Sequence, residues 1–143
     1  MRILVDADAC PVKNDIIKAA KPNNIDVLFF VNIHHQIHSD YASVIVVDDG
    51  ADSVDLKLIN TMLPGDVIVS QDYGVASLAL GKGGLVLTNS GRRLDESNID
   101  LLMFERHMSR KARQQGKRGP HIKKRTAFDN EQFMKALLSL IHN

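Results

Sequence analysis

The hydrophobic positions of this 143-residue chain fall into five short and nearly continuous runs. The runs are rich in Val, Ile and Leu, and in chain order they read ILV, DVLFFV, SVIVV, DVIVS and LVLT. Continuous apolar runs of this length are typical of strands that are buried on both faces, because half-exposed strands alternate apolar and polar residues. We therefore predict a mainly parallel sheet of about five strands.

Amphipathic segments separate most of these runs, namely PVKNDIIKAAK, SVDLKLINTML and GVASLALGKGG. Pro11 suits the first position of a helix, and the glycines of the third segment suit a helix end. Alternating strands and helices predict an α/β three-layer sandwich with right-handed crossovers. The exception is HHQIHSDYA, between the second and third runs, which is too short for a crossover helix and is predicted to be a loop.

The pattern after the last strand predicts two further helices. The first runs from about Glu96 towards Arg113. The second begins with Asp129 at its N-cap, and Gln132 three residues later completes a capping box. The chain therefore ends in a helical part that follows the sheet.

Length and composition indicate one folded domain, because 44% of the residues are hydrophobic and 24% are charged. We assign residues 1–143 to this domain, with an α/β core at about 1–94 and the helical part at 95–143. The chain begins with a strand pattern, it has no apolar run of membrane length, and Cys10 is its single cysteine. We expect a cytoplasmic protein without a membrane partner.

Charge is divided unevenly along the chain. Residues 1–105 carry 8 Lys and Arg against 15 Asp and Glu, whereas residues 106–143 carry 10 against 2. The basic segment, residues 106–125, contains no acid and nine cations: Arg106, Arg110, Lys111, Arg113, Lys117, Arg118, Lys123, Lys124 and Arg125. Such cations suit contacts to phosphates, so we expect a nucleic-acid partner and favour RNA. The alternatives are a solvated helix face, or an arm that lies over the acidic part of the same chain.

Aspartates follow the predicted strands. Asp6 and Asp8 end the first strand, Asp72 follows the fourth, and Asp52 and Asp55 lie in the helix after the third. The carboxyl ends of parallel strands share one edge of the sheet, and ligands bind there where the strand order reverses. We therefore expect these five carboxylates to converge.

Converging carboxylates call for protons or a cation, since two charges ~4 Å apart repel by about 4 kcal/mol at an effective dielectric of 20. Oxygen ligands favour Mg²⁺ or Mn²⁺, and either ion could activate water for phosphodiester cleavage. Asp6, Asp8, Asp55 and Asp72 are the predicted catalytic residues, with Asp52 as a further metal ligand. The alternative for each aspartate is a helix cap or a turn.

Two further polar residues are predicted to face the same edge. Asn14 lies one turn into the first helix and could orient water or substrate, and Ser70 directly follows the fourth strand. Both are expected to contact substrate. Cys10 is better explained as a small buried residue than as a nucleophile, because no histidine partner is evident.

The segments VDADACPVK, GADSVDLKLI, GDVIVSQDYGVASLAL and GGLVLTNSGRRLDESNI together resemble the YaiI/YqxD family of uncharacterised bacterial proteins, over nearly the whole chain. That family is in turn similar to PIN-domain nucleases. The resemblance implies a PIN-like parallel-sheet sandwich whose acidic residues bind Mg²⁺ or Mn²⁺ for RNA cleavage.

Individual positions carry this resemblance. Asp6 matches the aspartate that ends the first strand of PIN domains, and Asp72 in SQD matches their Thr/Ser-x-Asp. Asp52 or Asp55 would supply the acid on the helix. The chain departs from the PIN pattern after the next strand, where Asn89 and Ser90 replace a fourth acid.

Three hypotheses about function follow. The first is a metal-dependent ribonuclease, and the second is a nucleic-acid-binding protein that keeps the fold without catalysis. The third is a phosphatase similar to haloacid dehalogenases, which have an Asp-x-Asp motif like that of Asp6 and Asp8 and a serine that Ser70 could match. Cys10 and the lack of a late acidic pair weigh against the third hypothesis.

Overall fold

The computed structural model describes residues 1–48, 53–116 and 124–143. Its strands are β1 (Arg2–Asp6), β2 (Asp26–Asn32), β3 (Ser43–Val47), β4 (Val67–Val69), β5 (Leu85–Leu87) and β6 (Arg93–Leu94). Its helices are α1 (Lys13–Ala20), α2 (Ser53–Thr61), α3 (Tyr73–Gly81), α4 (Ile99–Gln114) and α5 (Ala127–Ile141), and a 3₁₀ turn (Lys21–Asn23) follows α1.

The strands form one sheet in the order β3-β2-β1-β4-β5-β6. The first five strands in this order are parallel, and β6 pairs with β5 in the antiparallel direction. The predicted α/β sandwich with a mainly parallel sheet is confirmed, with six strands instead of about five. The sixth exists because Gly91, at φ +84°, turns the chain back, and a Cβ there would lie 2.7 Å from the carbonyl oxygen of Gln132.

Strand β1 lies at the centre of the sheet. Ile3, Leu4 and Val5 are completely buried, as the ILV run predicts. Ile3 and Val5 belong to the apolar cluster on one face, and Leu4 belongs to the cluster on the other. Burying each such side chain contributes about 1.5–3 kcal/mol, so the centre of the sheet is a stable support for residues at its edge.

Helices cover both faces of the sheet. Helices α1 and α5 contact each other, and their residues Ile16 and Phe133 share a cluster with Ile3. Residues of α2, α3 and α4 form the other cluster, among them Leu58 and Leu102. The result is a three-layer arrangement with two separate cores.

The loop between β2 and β3 contains no helix, which confirms the prediction for HHQIHSDYA. Tyr41 anchors this loop, because its hydroxyl donates a hydrogen bond of 2.6 Å to the carbonyl oxygen of Ile25. Among the described residues, no helix combines the length and the apolar composition needed to cross a membrane.

Two helix starts differ from the prediction. Helix α1 begins at Lys13 and not at Pro11, because its N-cap Val12 has a non-helical backbone, with φ −112° and ψ 18°. Helix α4 begins at Ile99 and not at Glu96. The Asp95 carboxylate accepts a hydrogen bond from the backbone N–H of Asn98, which holds the preceding residues in a turn.

The capping box of α5 lies three residues earlier than predicted. Thr126 is the N-cap, and its side chain accepts a hydrogen bond from the N–H of Asp129. The carboxylate of Asp129 in turn accepts a hydrogen bond of 2.8 Å from the N–H of Thr126. Asp129 is therefore the third residue of the box and not its cap, because Thr-x-x-Asp satisfies two backbone donors reciprocally.

Candidate active site

The site lies between β1 and β4, which are neighbours in the sheet although two helices, a 3₁₀ turn and two strands separate them in sequence. The chain leaves β1 for α1 on one face, whereas it reaches β4 from α2 on the other face. The strand order therefore reverses at this point. The carboxyl ends of β1 and β4 carry residues 6–8 and 70–72, so both predicted acidic segments lie at the switch point of the sheet.

Asp6 is an acid of this edge with a perturbed pKa. It ends β1 and is half-buried. Burial, and then the negative charges of Asp55, Asp8 and Asp72, raise its pKa from 3.8 to about 6. Three predicted catalytic residues, which include residues from other parts of the chain, thus act on the fourth, Asp6.

Asp72 is the N-cap of α3 and is itself exposed. Its Oδ1 accepts hydrogen bonds from the N–H groups of Gly74 at 2.8 Å and Val75 at 3.2 Å. Its own N–H donates to Oγ of Ser70, which is only 2% exposed. The helix cap therefore fixes the orientation of Asp72, and its Oδ2 has no hydrogen bond to any described residue.

Asp55 and Asp72 line the same cavity. Asp55 lies in the first turn of α2, is half-buried, and borders a volume of about 340 Å³ together with Asp72 and Val75. The other helix-borne candidate, Asp52, lies outside the described residues. The structure thus places Asp55 beside Asp72, as one of the two predicted alternatives requires.

Asp8 has a different environment from Asp6. Its two carboxylate oxygens accept the N–H of Asn32 at 3.1 and 3.3 Å, and Nδ1 of His35 lies 3.2 Å from Oδ1. Asp8 therefore ties the turn after β1 to the end of β2. The left-handed backbone of Ala9, which costs roughly 1–3 kcal/mol in a residue other than glycine, lies between this aspartate and Cys10.

The donor set fits a hard divalent cation in its chemistry, since carboxylate oxygens are the ligands that Mg²⁺ and Mn²⁺ prefer. Within residues 1–48, 53–116 and 124–143, no three Asp, Glu, His or Cys side chains lie close enough together to hold a metal ion as they stand. Binding would therefore require these side chains to move closer together. Oδ2 of Asp72 and the carboxylates of Asp6 and Asp55 are the groups placed for it.

A cationic wall stands beside Asp72. The Arg106 guanidinium lies 4.0 Å from the ring centroid of Tyr73 and donates a hydrogen bond of 3.0 Å to the carbonyl oxygen of Gln71. Arg106, His107 and Arg110 of α4 line a cavity of about 250 Å³ together with Asp72 and Tyr73. Part of the basic segment is thus fixed directly beside the acidic edge.

The other predicted substrate contacts are distributed more widely. Arg113 borders a cavity with Tyr73 and Arg106, and Lys111 borders one with Arg110. Asn14 is exposed on α1, and Lys124 is exposed before α5. Lys117, Arg118 and Lys123 lie outside the described residues.

Arg125 has structural partners. Its Nη2 donates to the carbonyl oxygen of Asn89 at 2.7 Å, and its Nε donates to Oδ1 of Asn130 at 2.7 Å. The N–H of Asn89 donates to Oε1 of Gln71 at 2.8 Å. This network connects the loops after β4 and β5 with α5, so it supports the acidic edge from the side opposite α4.

Cys10 is 5% exposed, and its Sγ lies 3.9 Å from Oδ1 of Asn89. Burial raises the pKa of its thiol, and a thiol that keeps its proton is a poor nucleophile. This geometry agrees with the interpretation of Cys10 as a small buried residue.

Sequence reasoning missed Tyr73, Gln71 and His107. Tyr73 directly follows the predicted Asp72, and an aromatic residue beside a candidate acid was a usable signal. Its stacking with Arg106 was not readable, because the two residues are 33 positions apart and meet only through the packing of α3 on α4.

Comparison with known proteins tests the resemblance to the YaiI/YqxD family noted for the sequence. Residues 4–143 match a family model described as "Uncharacterized BCR, YaiI/YqxD family". The chain belongs to the YaiI/YqxD family. UPF0178 proteins of Ruminiclostridium cellulolyticum and Clostridium novyi are 50% and 49% identical to it. These matches cover 99% of this chain and 92% and 95% of the two relatives.

A third relative in the YaiI/YqxD family, the UPF0178 protein of Clostridium tetani, is 45% identical over 99% of this chain and 97% of its own length. No solved structure matches the chain. The family is uncharacterised, so its function has to be argued from the site.

Proposed function

We propose that this YaiI/YqxD protein is a metal-dependent nuclease that hydrolyses phosphodiester bonds of RNA at the carboxyl edge of its sheet. One observation carries the proposal: acidic side chains from β1, α2 and the start of α3 lie near the switch point of the sheet, directly beside a wall of cations on α4. Carboxylates suit a divalent ion, and adjacent cations suit the phosphates of its substrate. The resemblance of Asp6 and Asp72 to the acids of PIN domains supports the same function.

Asp6, Asp55 and Asp72 would hold the ion. When bound, Mg²⁺ or Mn²⁺ would supply a water of lowered pKa and neutralise charge on the phosphate. The pKa of about 6 at Asp6 means that this carboxyl loses its proton just below neutral pH, where it becomes a charged oxygen donor. Asp8 would position the turn after β1 through its bonds to Asn32 and His35.

Arg106 and Arg110 would orient the substrate. Arg106 is held by the ring of Tyr73 and by the carbonyl oxygen of Gln71, so its position is fixed before any phosphate arrives. Fixed cations contact the phosphates of RNA without contacting its bases. We therefore predict cleavage that depends little on the RNA sequence.

The test is cleavage of end-labelled RNA in Mn²⁺ and Mg²⁺ by wild type, Asp72→Asn and Asp26→Asn, purified side by side. Asparagine can still cap α3, so Asp72→Asn removes charge while keeping the helix start. We expect a loss of about 100-fold or more, because even the outer partners of metal ligands contribute 10- to 100-fold. Asp26 is an exposed acid at the opposite edge, and its variant controls for contaminating ribonuclease and for net charge.

A non-catalytic RNA-binding protein is the second candidate, because no three described Asp, Glu, His or Cys side chains lie close enough to hold an ion, whereas cations of α4 line two cavities. On this hypothesis Asp72→Asn and wild type bind RNA equally in EDTA, and neither cleaves it. Equal cleavage by wild type and Asp72→Asn would contradict the nuclease proposal. Release of phosphate from a small phosphomonoester, lost in Asp6→Asn, would favour the phosphatase hypothesis instead.

A further inference from the structure

Helix α4 carries an exposed apolar row that plays no part in the candidate active site. Leu101, Phe104 and Met108 are 61%, 60% and 46% exposed. They are three and four residues apart, so they form one row on the surface of the helix. The body of the protein lies on the opposite side, where Ile99 and Leu102 are buried. A row of large apolar side chains on the outer face of a helix marks an interaction surface more strongly than scattered exposed residues do.

Charge along α4 changes sign from its beginning to its end. Asp100 lies in the first turn, and Lys111 lies in the last. Both are exposed, and eleven residues, about three turns, place them on the same side of the helix as the apolar row. They stand ~16 Å apart along the axis, too far to pair within one chain.

We infer that this row is the contact between two copies of the chain, whose α4 helices pack antiparallel about a twofold axis close to residue 106. Such an axis brings Asp100 of each copy towards the partner subunit's Lys111, and it places Phe104 opposite the partner's Met108. One patch thereby complements itself, as a twofold interface requires. A parallel pairing would instead set like charges against each other, so charge selects the antiparallel arrangement.

A nucleic acid suits the row less well. Its phosphates would meet the Asp100 carboxylate at one end, and the cations that face the acidic edge lie on another side of α4. A single pair of helices buries less surface than a standard protein interface, so the dimer is expected to dissociate in the micromolar range. The interface does not depend on whether the acidic edge cleaves RNA.

The experiment is sedimentation equilibrium of the full chain, without nucleic acid, at protein concentrations across the micromolar range. Wild type is expected to pass from monomer to dimer. Phe104→Gln is expected to raise the dissociation constant about tenfold or more, because it removes apolar contact from both copies. Phe128→Gln is the matched control, since Phe128 of α5 is 63% exposed and should leave the equilibrium unchanged.

A charge exchange tests the antiparallel geometry. Asp100→Lys and Lys111→Asp should each weaken the dimer, because each sets like charges together at both ends of the interface. The double variant carrying both substitutions should recover the wild-type dissociation constant. Recovery requires contact between copies, as the two positions are too far apart to interact in one chain.

Three results would overturn the inference. They are a wild type that remains monomeric, a dimer that Phe104→Gln leaves unchanged, and a double variant as weak as the single ones. If Phe104→Gln binds RNA less tightly than wild type but sediments with the same oligomeric mass, the apolar row contacts nucleic acid. That result would also overturn the inference.

Discussion

Two aspartates at opposite edges of the sheet have pKa values shifted in opposite directions. At the amino edge, Asp66 is 3% exposed, and its carboxylate accepts hydrogen bonds from the Arg2 guanidinium at 2.8 Å and the Leu63 N–H at 2.8 Å. Burial alone would raise its pKa, but these bonds from Arg2 and Leu63 hold the pKa below 3.8. At the carboxyl edge, burial and then the charges of three further carboxylates raise the pKa of Asp6 to about 6.

The difference separates stability from function. Asp66 connects β1 to β4 through Arg2, at the end of the sheet where no ligand is expected. The negative charges around Asp6 oppose its ionisation, and a fold under selection for stability alone would have no use for such repulsion. Perturbed pKa values that cluster in a cleft are typical of functional sites. The comparison thus supports the proposal that a divalent cation binds at the carboxyl edge.

The largest effect on stability is expected at the amino edge. Asp66→Ala leaves the Arg2 guanidinium without its buried partner, which should reduce the free energy of unfolding by about 3 kcal/mol. Because the pKa of Asp66 is lowered in the folded state, this stabilisation is present above pH 3.8 and is lost as pH falls below it. Urea unfolding at pH 7 measures the change. Asp26→Ala, an exposed acid at the same edge, should differ from wild type by less than about 0.5 kcal/mol.

In the absence of metal, Asp6→Asn is expected to raise the free energy of unfolding above neutral pH, in contrast to Asp66→Ala. Folded Asp6 holds its proton more tightly than the unfolded chain, so wild type should lose on the order of 2 kcal/mol of stability as pH rises from about 4 to above about 6. The variant lacks this loss and should be the more stable protein at pH 8. Thermal unfolding in EDTA at pH 4 and pH 8 measures the difference. A variant less stable than wild type at pH 8 would refute the repulsion at this edge.

A smaller effect distinguishes the two roles of Asp72. Asp72→Ala removes the cap of α3 and should lower stability by about 1 kcal/mol, whereas Asp72→Asn keeps an acceptor for the N–H of Gly74 and should change it little. Urea unfolding of both variants in EDTA decides between them. Equal losses would mean that the charge of Asp72, and not its cap, stabilises the apo protein.

Much of this architecture was predictable, because buried parallel strands have continuous apolar sequences, and each of β1 to β5 overlaps one of the five apolar runs. The convergence of Asp6 and Asp72 followed from the shared edge of parallel strands. The two-residue strand β6 was not predictable, since it depends on a turn at Gly91 under the backbone of α5. The sequence also identified the YaiI/YqxD family, which the family match confirms.

Details set by local backbone geometry stayed out of reach. The hydrogen bond from Asn32 to Asp8 depends on the left-handed turn at Ala9. An alanine in a sequence does not indicate such a turn. The predicted start of α5 was wrong because the sequence contains two possible capping boxes, and Thr126 with Asp129 forms the one that lies three residues earlier. Placement of Arg106 over Tyr73 needed the packing of α3 on α4, and periodicity alone does not supply it.

The central claim is that the carboxyl edge binds a divalent cation that the amino edge does not. Calorimetric titration with Mn²⁺ at pH 7.5 tests it most directly, on wild type, Asp6→Asn, Asp72→Asn and Asp26→Asn. The account predicts saturable binding to wild type and Asp26→Asn, competed by Mg²⁺, and an affinity lower by about tenfold or more in the other two variants. Absence of binding to wild type, or equal affinity in all four proteins, would contradict it.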